Sequence, residues 1–248
     1  MQRAMEQIVD GQDISFERDG DEIKAYLARP EGNASMPGLV IIPDVHGLSD
    51  HYRDIARRFA AEGCVALALD LYSREGAPKL GDLEAINRWI AQLPDERILG
   101  DIAGAVRYLD ALPEVRAHSV AITGFCMGGQ YAIMAACTID GIAAAVSWYG
   151  MVRYEETNDL KPASPLDLAP DLRCPYLGMF GAEDPIIPVA DVEALRDVLK
   201  REGKDAEIEI YEGAGHAFFN DTRPEMYRPK VAATAWPRAL EFFRKHLQ

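Results

Sequence analysis

Long apolar runs are missing from this 248-residue chain. Its longest uninterrupted apolar stretches fall well short of the ~18 residues that would suggest a membrane span, so no membrane partner is expected. Met1–Gln12 is mixed and polar, without the basic start and apolar middle of a secretory leader, and a cytoplasmic protein is expected. Cysteine is scarce. Cys64, Cys126, Cys137 and Cys174 lie far apart with no C-x-x-C pair, which points away from a disulfide framework and from a cysteine-based zinc site. Positive charge is outnumbered, 26 Lys and Arg against 40 Asp and Glu, and a net charge of −14 repels phosphate backbones and anionic lipid. Nucleic acid is therefore not an expected partner, and an anionic substrate would need a local arginine to overcome the long-range field. Internal repeats and low-complexity tracts are absent as well. What is there is 48% apolar, ample for a packed core, and residues 1–248 are expected to form a single α/β domain.

Taken in order, the chain alternates strand and helix patterns. Asp13–Phe16 and Ile23–Ala28 flank the turn signal Arg18-Asp-Gly-Asp21, which predicts an N-terminal β-hairpin. Leu39–Ile42 and Val65–Leu69 are continuous apolar runs of the kind that form central strands buried on both faces. Between them, Ser49-Asp50 caps an amphipathic helix over His51–Ala61, where Ile55, Phe59 and Ala60 recur at helical spacing. Helical patterns follow over Leu83–Leu93 and Arg97–Leu112, separated by Pro94-Asp95. Further strands are expected at Ile142–Ser147, Tyr176–Phe180 and Ala206–Tyr211, with helices at Val189–Arg201 and Val231–Leu247. Met151–Arg173, rich in Pro, Asp and Asn, reads as an excursion over the carboxyl edge of the sheet or as a solvated surface loop. Such alternation predicts a mostly parallel sheet with helices on both faces.

The centre of this pattern is Ser119–Cys137. A short β-branched run (Val120, Ile122, Thr123) stops at Gly124, and Tyr131–Ala136 reads as a buried helix, so Gly124-Phe-Cys126-Met-Gly128 occupies a sharp strand-to-helix turn. This is the G-x-S-x-G nucleophile elbow with cysteine for serine. Small residues are required there because strand and helix approach closely around a strained apex that pushes the nucleophile out above the sheet. The turn also puts the Met127 N–H at a helix N-terminus, where it can stabilise an oxyanion and where the helix dipole favours a thiolate. Taken alone, the motif is equally compatible with a buried cysteine on a Gly-rich crossover.

Two further residues favour the catalytic reading. In open α/β sheets ligands bind at the carboxyl ends of the strands. Cys126, Asp184 and His216 each follow an expected strand, in the order nucleophile, acid, histidine that α/β-hydrolase triads use. The chemistry needs each type: His216 takes the thiol proton and later passes a proton on, while Asp184 fixes its tautomer and offsets its charge. Taken singly, His216 could be a loop histidine and Asp184 a helix cap.

Together, Pro43-Asp-Val-His-Gly-Leu48, Asp70-Leu-Tyr72, Gly124-Phe-Cys-Met-Gly-Gly129, Gly181-Ala-Glu-Asp184 and Gly213-Ala-Gly-His-Ala-Phe218 resemble the dienelactone hydrolase (carboxymethylenebutenolidase) family of α/β-hydrolases. The resemblance runs from Leu39 to the closing helix. It implies cleavage of small esters or lactones through an acyl-cysteine, with Cys126 as nucleophile, Asp184 as orienting acid and His216 as base. It further implies an oxyanion hole from the Val45 and Met127 N–H groups, no metal and no organic cofactor, and a monomer or small homo-oligomer. Asp44 stands where the family commonly has a thiol-activating glutamate one methylene longer, and its alternative is an acid bonded to loop amides. The member that acts on dienelactone holds the substrate carboxylate with arginines, one shortly after the catalytic histidine. The corresponding Asn220 is neutral here, which leaves Arg223 and Arg74 as candidate carboxylate contacts or as partners of nearby acids. Tyr149 resembles a tyrosine of the family pocket, or is a packed aromatic at the sheet edge. His46 and His51 lie near the expected cleft without a zinc motif, and Cys64, Cys137 and Cys174 read as core thiols. Rival readings are a broad carboxylesterase or thioesterase, a non-catalytic ligand-binding relative, and a redox-sensing thiol protein, the last weakened by the lack of an adjacent resolving cysteine.

Overall fold

A tight turn opens the described structure. Asp19 and Gly20 both take positive φ (53° and 88°), as a two-residue hairpin loop requires, and join β1 (Val9–Arg18) to β2 (Asp21–Pro30) in antiparallel register. The structure is a computed structural model that describes residues 9–32, 35–154 and 156–247. Most of the N-terminal segment read as lacking a leader, residues 1–8, lies outside the described residues.

After the hairpin come β3 (Met36–Ile42), α1 (Asp50–Ala61), β4 (Val65–Leu69), α2 (Leu83–Gln92), α3 (Asp95–Asp110), β5 (Val115–Phe125) and α4 (Met127–Thr138). Then follow β6 (Ile142–Trp148), α5 (Pro165–Leu168), β7 (Tyr176–Gly181), α6 (Val189–Arg201), β8 (Ala206–Tyr211) and α7 (Pro229–His246). The strands form one sheet in the order β1-β2-β4-β3-β5-β6-β7-β8, antiparallel only where β2 meets β1 and β4. This is the mostly parallel sheet with an N-terminal hairpin that the alternation predicts. Leu39–Ile42 and Val65–Leu69 are wholly inaccessible to solvent, because helices cover both faces of the central strands.

Register determines where the loops emerge. Ile42 pairs with Gly124, Phe125 with Trp148, Trp148 with Met179 and Gly181 with Tyr211, so β3, β5, β6, β7 and β8 end nearly level. Asp44, Cys126, Tyr149, Asp184 and His216 therefore all leave the same edge of the sheet.

Three local expectations change. Strand β5 begins at Val115, earlier than its apolar run, with a register shift between Val115 and Val120 and His118 at φ 59°. The polar Arg116 and the exposed His118 hid that bulged start from hydrophobic patterning. Ser49 occupies the N-cap of α1 but its side chain accepts no capping hydrogen bond, leaving Asp50 in the first turn to oppose the helix dipole. Residues 151–173, of which Glu155 lies outside the described residues, form neither a solvated loop nor a cover confined to the carboxyl edge. A parallel crossover must carry the chain from the carboxyl end of β6 back to the amino end of β7, so the segment runs along α4. Val152, Lys161, Leu166, Ala169 and Leu172 are buried there, and a reciprocal Ser164–Asp167 capping box starts α5. Among the described residues no helix is long and apolar enough to cross a membrane.

Candidate active site

Between β5 and α4 the backbone folds as the small residues require. A Cβ on Gly124 would lie 1.9 Å from the Gly128 carbonyl oxygen, and one on Gly128 would lie 2.0 Å from that of Ile42. That close approach leaves Cys126 at φ 55° and ψ −119°, a strained conformation for a residue with a side chain. Cys126 is partly exposed, whereas Cys64, Cys137 and Cys174 are buried and burial pushes each of those thiols up to about 12. Among the described residues the amides of Val45 and Met127 donate no hydrogen bond. The Tyr72 hydroxyl donates to the Val45 carbonyl at 3.0 Å and steadies that loop.

Asp184 and His216 meet although 32 positions separate them. His216 Nδ1 lies 2.8 Å from Asp184 Oδ2, while Asp184 Oδ1 accepts the amides of Ile186 (2.8 Å) and Ile187 (3.2 Å). Asp184 does not cap a helix, since α6 begins behind Pro188 without a side-chain cap; it braces its own loop and holds the imidazole. On the other side of the ring, His216 Nε2 is buried and makes no hydrogen bond of ordinary geometry. Burial disfavours the charged ring, but its interactions with Cys126 and with Asp184 outweigh it and push His216 up to about 10.

Around this centre the floor is aromatic. Phe125 stacks on Trp148 at 5.4 Å, Trp148 lies 4.5 Å from Phe219, and the Trp148 indole donates to Thr123. Tyr149, at φ 41°, presents its ring edge-to-face to His216 at 5.3 Å.

Asp44 is buried, its Oδ1 accepting the His46 amide at 2.9 Å and its Oδ2 facing Arg223 Nη2 at 3.7 Å. It therefore has the loop-amide bond of its alternative reading and an arginine partner besides. Burial lowers His46 and His51, with Asp44 opposing in both cases, so both stay neutral near pH 7. Among the described residues no cluster of His, Cys, Asp and Glu could hold a metal ion.

Arg74, expected as a possible carboxylate contact, is corrected to a structural role. Its guanidinium grips buried Asp101 through two bonds (2.7 and 3.1 Å) and reaches Asp21 at 2.5 Å, tying the loop after β4 to α3 and the hairpin. An unpartnered buried carboxylate at Asp101 would be costly, and Arg74 supplies its counter-charge together with Arg18, whose Nη1 lies 3.0 Å from Oδ1. Sequence reading missed a second cluster altogether: Asp95, Gln130, Tyr131, Tyr154 and Lys161, hydrogen-bonded to one another behind the elbow. Pro94-Asp95 read only as a break between two helical patterns, and no local pattern joins Asp95 to Lys161.

Fold and cleft define an α/β-hydrolase with a cysteine at its elbow. The dienelactone hydrolase family model matches residues 23–247, and the chain belongs to that family. It is 38% identical over 234 residues to a Bradyrhizobium sp protein named "Probable 2-oxo-3-(5-oxofuran-2-ylidene)propanoate lactonase", covering 94% of each chain. It is 36% identical to a "Putative carboxymethylenebutenolidase" of Escherichia coli, covering 94% of this chain and 86% of that one. Among solved structures, a "Putative Dienelactone Hydrolase" from Klebsiella pneumoniae superposes with a TM-score of 0.90 at 34% identity, covering 96% of this chain and 99% of that one.

Proposed function

We propose that this protein hydrolyses small esters or lactones through an acyl-cysteine on Cys126. The observation that carries the reading is the His216 ring, bonded to Asp184 through Nδ1 with its other nitrogen buried toward Cys126. In the first half-reaction the Cys126 thiolate attacks the acyl carbon, and the Val45 and Met127 N–H groups take the oxyanion; each such donor contributes roughly 3 kcal/mol in comparable hydrolases. The C–O bond then breaks as His216 gives its proton to the departing alkoxide, leaving a thioester; in a lactone the alcohol stays tethered to the acyl group. In the second, His216 removes a proton from water, hydroxide adds to the thioester, and the C–S bond breaks to release the acid. Asp184 keeps the imidazole oriented throughout.

Arg223 is the cation that faces Asp44, and it offers a substrate carboxylate a partner in an otherwise acidic protein. Asp44 serves as its counter-charge in the resting cleft and can act on the thiol once its second oxygen leaves Arg223. Tyr149 walls the pocket beside His216. A nucleophile that must stay reduced suits a cytoplasmic setting, and one sheet carrying every site residue suits a single catalytic domain.

Cys126→Ala is expected to abolish nitrophenol release from p-nitrophenyl acetate while circular dichroism stays native; unchanged release removes Cys126 from the mechanism. Rates on lactones, acyl esters and acyl thioesters, each with and without a carboxylate, separate a lactonase from a broad esterase or thioesterase.

A further inference from the structure

Asp95, at the first position of α3, is 2% exposed, and Lys161, from the segment after β6, is 3% exposed. Their charges meet at 2.7 Å, Nζ to Oδ1. The same Oδ1 accepts from the Tyr131 hydroxyl at 2.7 Å, and Oδ2 accepts from the Tyr154 hydroxyl at 3.1 Å. The Gln130 side-chain amide donates to the Tyr154 hydroxyl at 2.6 Å, and Lys161 donates to the Tyr131 hydroxyl at 3.0 Å. Backbone bonds fix the segment too. The Asp95 N–H donates to the Leu160 carbonyl at 2.9 Å, and Asn158 closes a tight loop that presents Lys161.

Gln130 and Tyr131 are consecutive residues of α4, so their side chains leave the helix roughly 100° apart. Two attachments at that angle, converging on one buried carboxylate, fix both the rotation and the axial position of the helix. Gly128 and Gly129 let the start of the helix close onto the Ile42 and Trp148 backbone, where an added Cβ would lie 2.0 and 2.7 Å from their carbonyl oxygens. At the other end of the same first turn, the Gln130 N–H donates to the Cys126 carbonyl, and the Met127 N–H begins the helix.

We propose that Asp95 is a positioning residue for the hydrolysis, acting with Lys161, Tyr131 and Tyr154 to hold α4 where the Met127 N–H meets the oxyanion. This rests on the acyl-cysteine reading. Displacing a reacting group by about 1 Å costs ~10²-fold in rate, so small movements of α4 register in kcat. An oxyanion donor acts mainly in the transition state, so the loss falls on kcat and leaves KM close to wild type.

Three variants test it: Tyr154→Phe, Lys161→Met, and the double variant Asp95→Leu with Lys161→Met, which leaves no buried charge unpaired and so keeps the fold accessible. Each is assayed for kcat and KM on p-nitrophenyl acetate, for thermal midpoint, and for the rate of iodoacetamide alkylation at Cys126, located by mass spectrometry. Alkylation involves no oxyanion. The expected result is a fall of about tenfold or more in kcat for the double variant, a smaller fall for Tyr154→Phe, and alkylation within about twofold of wild type. Folded variants with wild-type kcat, or with kcat and alkylation falling in parallel, overturn the proposal. Failure of the underlying reading shows elsewhere, as hydrolysis that survives Cys126→Ala whatever these variants do.

Discussion

Two buried acid–base pairs, Asp184–His216 and Asp95–Lys161, use similar ingredients and end differently. In the Asp95 cluster both carboxylate oxygens are engaged, the ammonium binds two oxygens, and both phenols have donors and acceptors. In the cleft the carboxylate is equally occupied, but His216 Nε2 has only Cys126 opposite it. A buried polar atom left unpaired costs about 1–3 kcal/mol. Burial acts against the charged form in both pairs. It prevails at Lys161, whose basicity is lowered, whereas at His216 the interactions with Cys126 and Asp184 together reverse it. The Asp95–Lys161 pair is bonded on both sides, although Gln130 Oε1 beside it has no partner, whereas the Asp184–His216 pair turns its outer nitrogen toward Cys126.

Breaking the comparison on the catalytic side should give the largest effect. Asp184→Asn keeps the shape but favours the wrong imidazole tautomer, and kcat on p-nitrophenyl acetate should fall by ~10³–10⁴-fold with KM little changed. Smaller but still large is the response of the saturated pair. Lys161→Met strands Asp95 and should lower urea-unfolding stability by about 3 kcal/mol, whereas adding Asp95→Leu should restore a substantial part of the loss. A double variant no more stable than the single one would show that the ion pair itself contributes net stability.

The pH dependence of His216 sharpens the contrast. Its raised folded value means that its contribution to stability is fully present below the unfolded value of ~6.5 and is lost as pH rises through about 10. The destabilisation caused by His216→Asn should therefore be largest near pH 6 and shrink above pH 10. Cys126→Ala, by removing the strongest upward influence, should bring the imidazole titration followed by NMR back toward its ordinary range. The smallest effect concerns the two arginines. Arg223→Ala should raise KM about tenfold for a carboxylate-bearing ester and hardly at all for its neutral analogue. Arg74→Ala should leave both KM values near wild type and lower thermal stability, because its guanidinium is committed to Asp101 and Asp21.

Legibility divides along the same line as the two pairs. Strands β4 and β8 and helix α6 coincide with their sequence patterns residue for residue, because each is an uninterrupted run of one period between clear breakers. The order of Cys126, Asp184 and His216 was readable for a related reason: each sits directly after a patterned strand, and in a parallel sheet strand ends share one edge. The path of residues 151–173 was not readable. It has no periodicity, and its burial comes from α4 and α3, elements distant in the chain.

Local chemistry alone determined the parallel α/β architecture, the glycine-lined elbow and the three residues at the strand ends, because periodicity, turn residues and chain order are properties of neighbouring positions. Only the tertiary structure decided that Arg74 serves Asp101 while Arg223 faces Asp44, and that Lys161 is buried against Asp95. Pairing of charges depends on which surfaces packing brings together and how completely water is excluded from them, and one-dimensional spacing records neither.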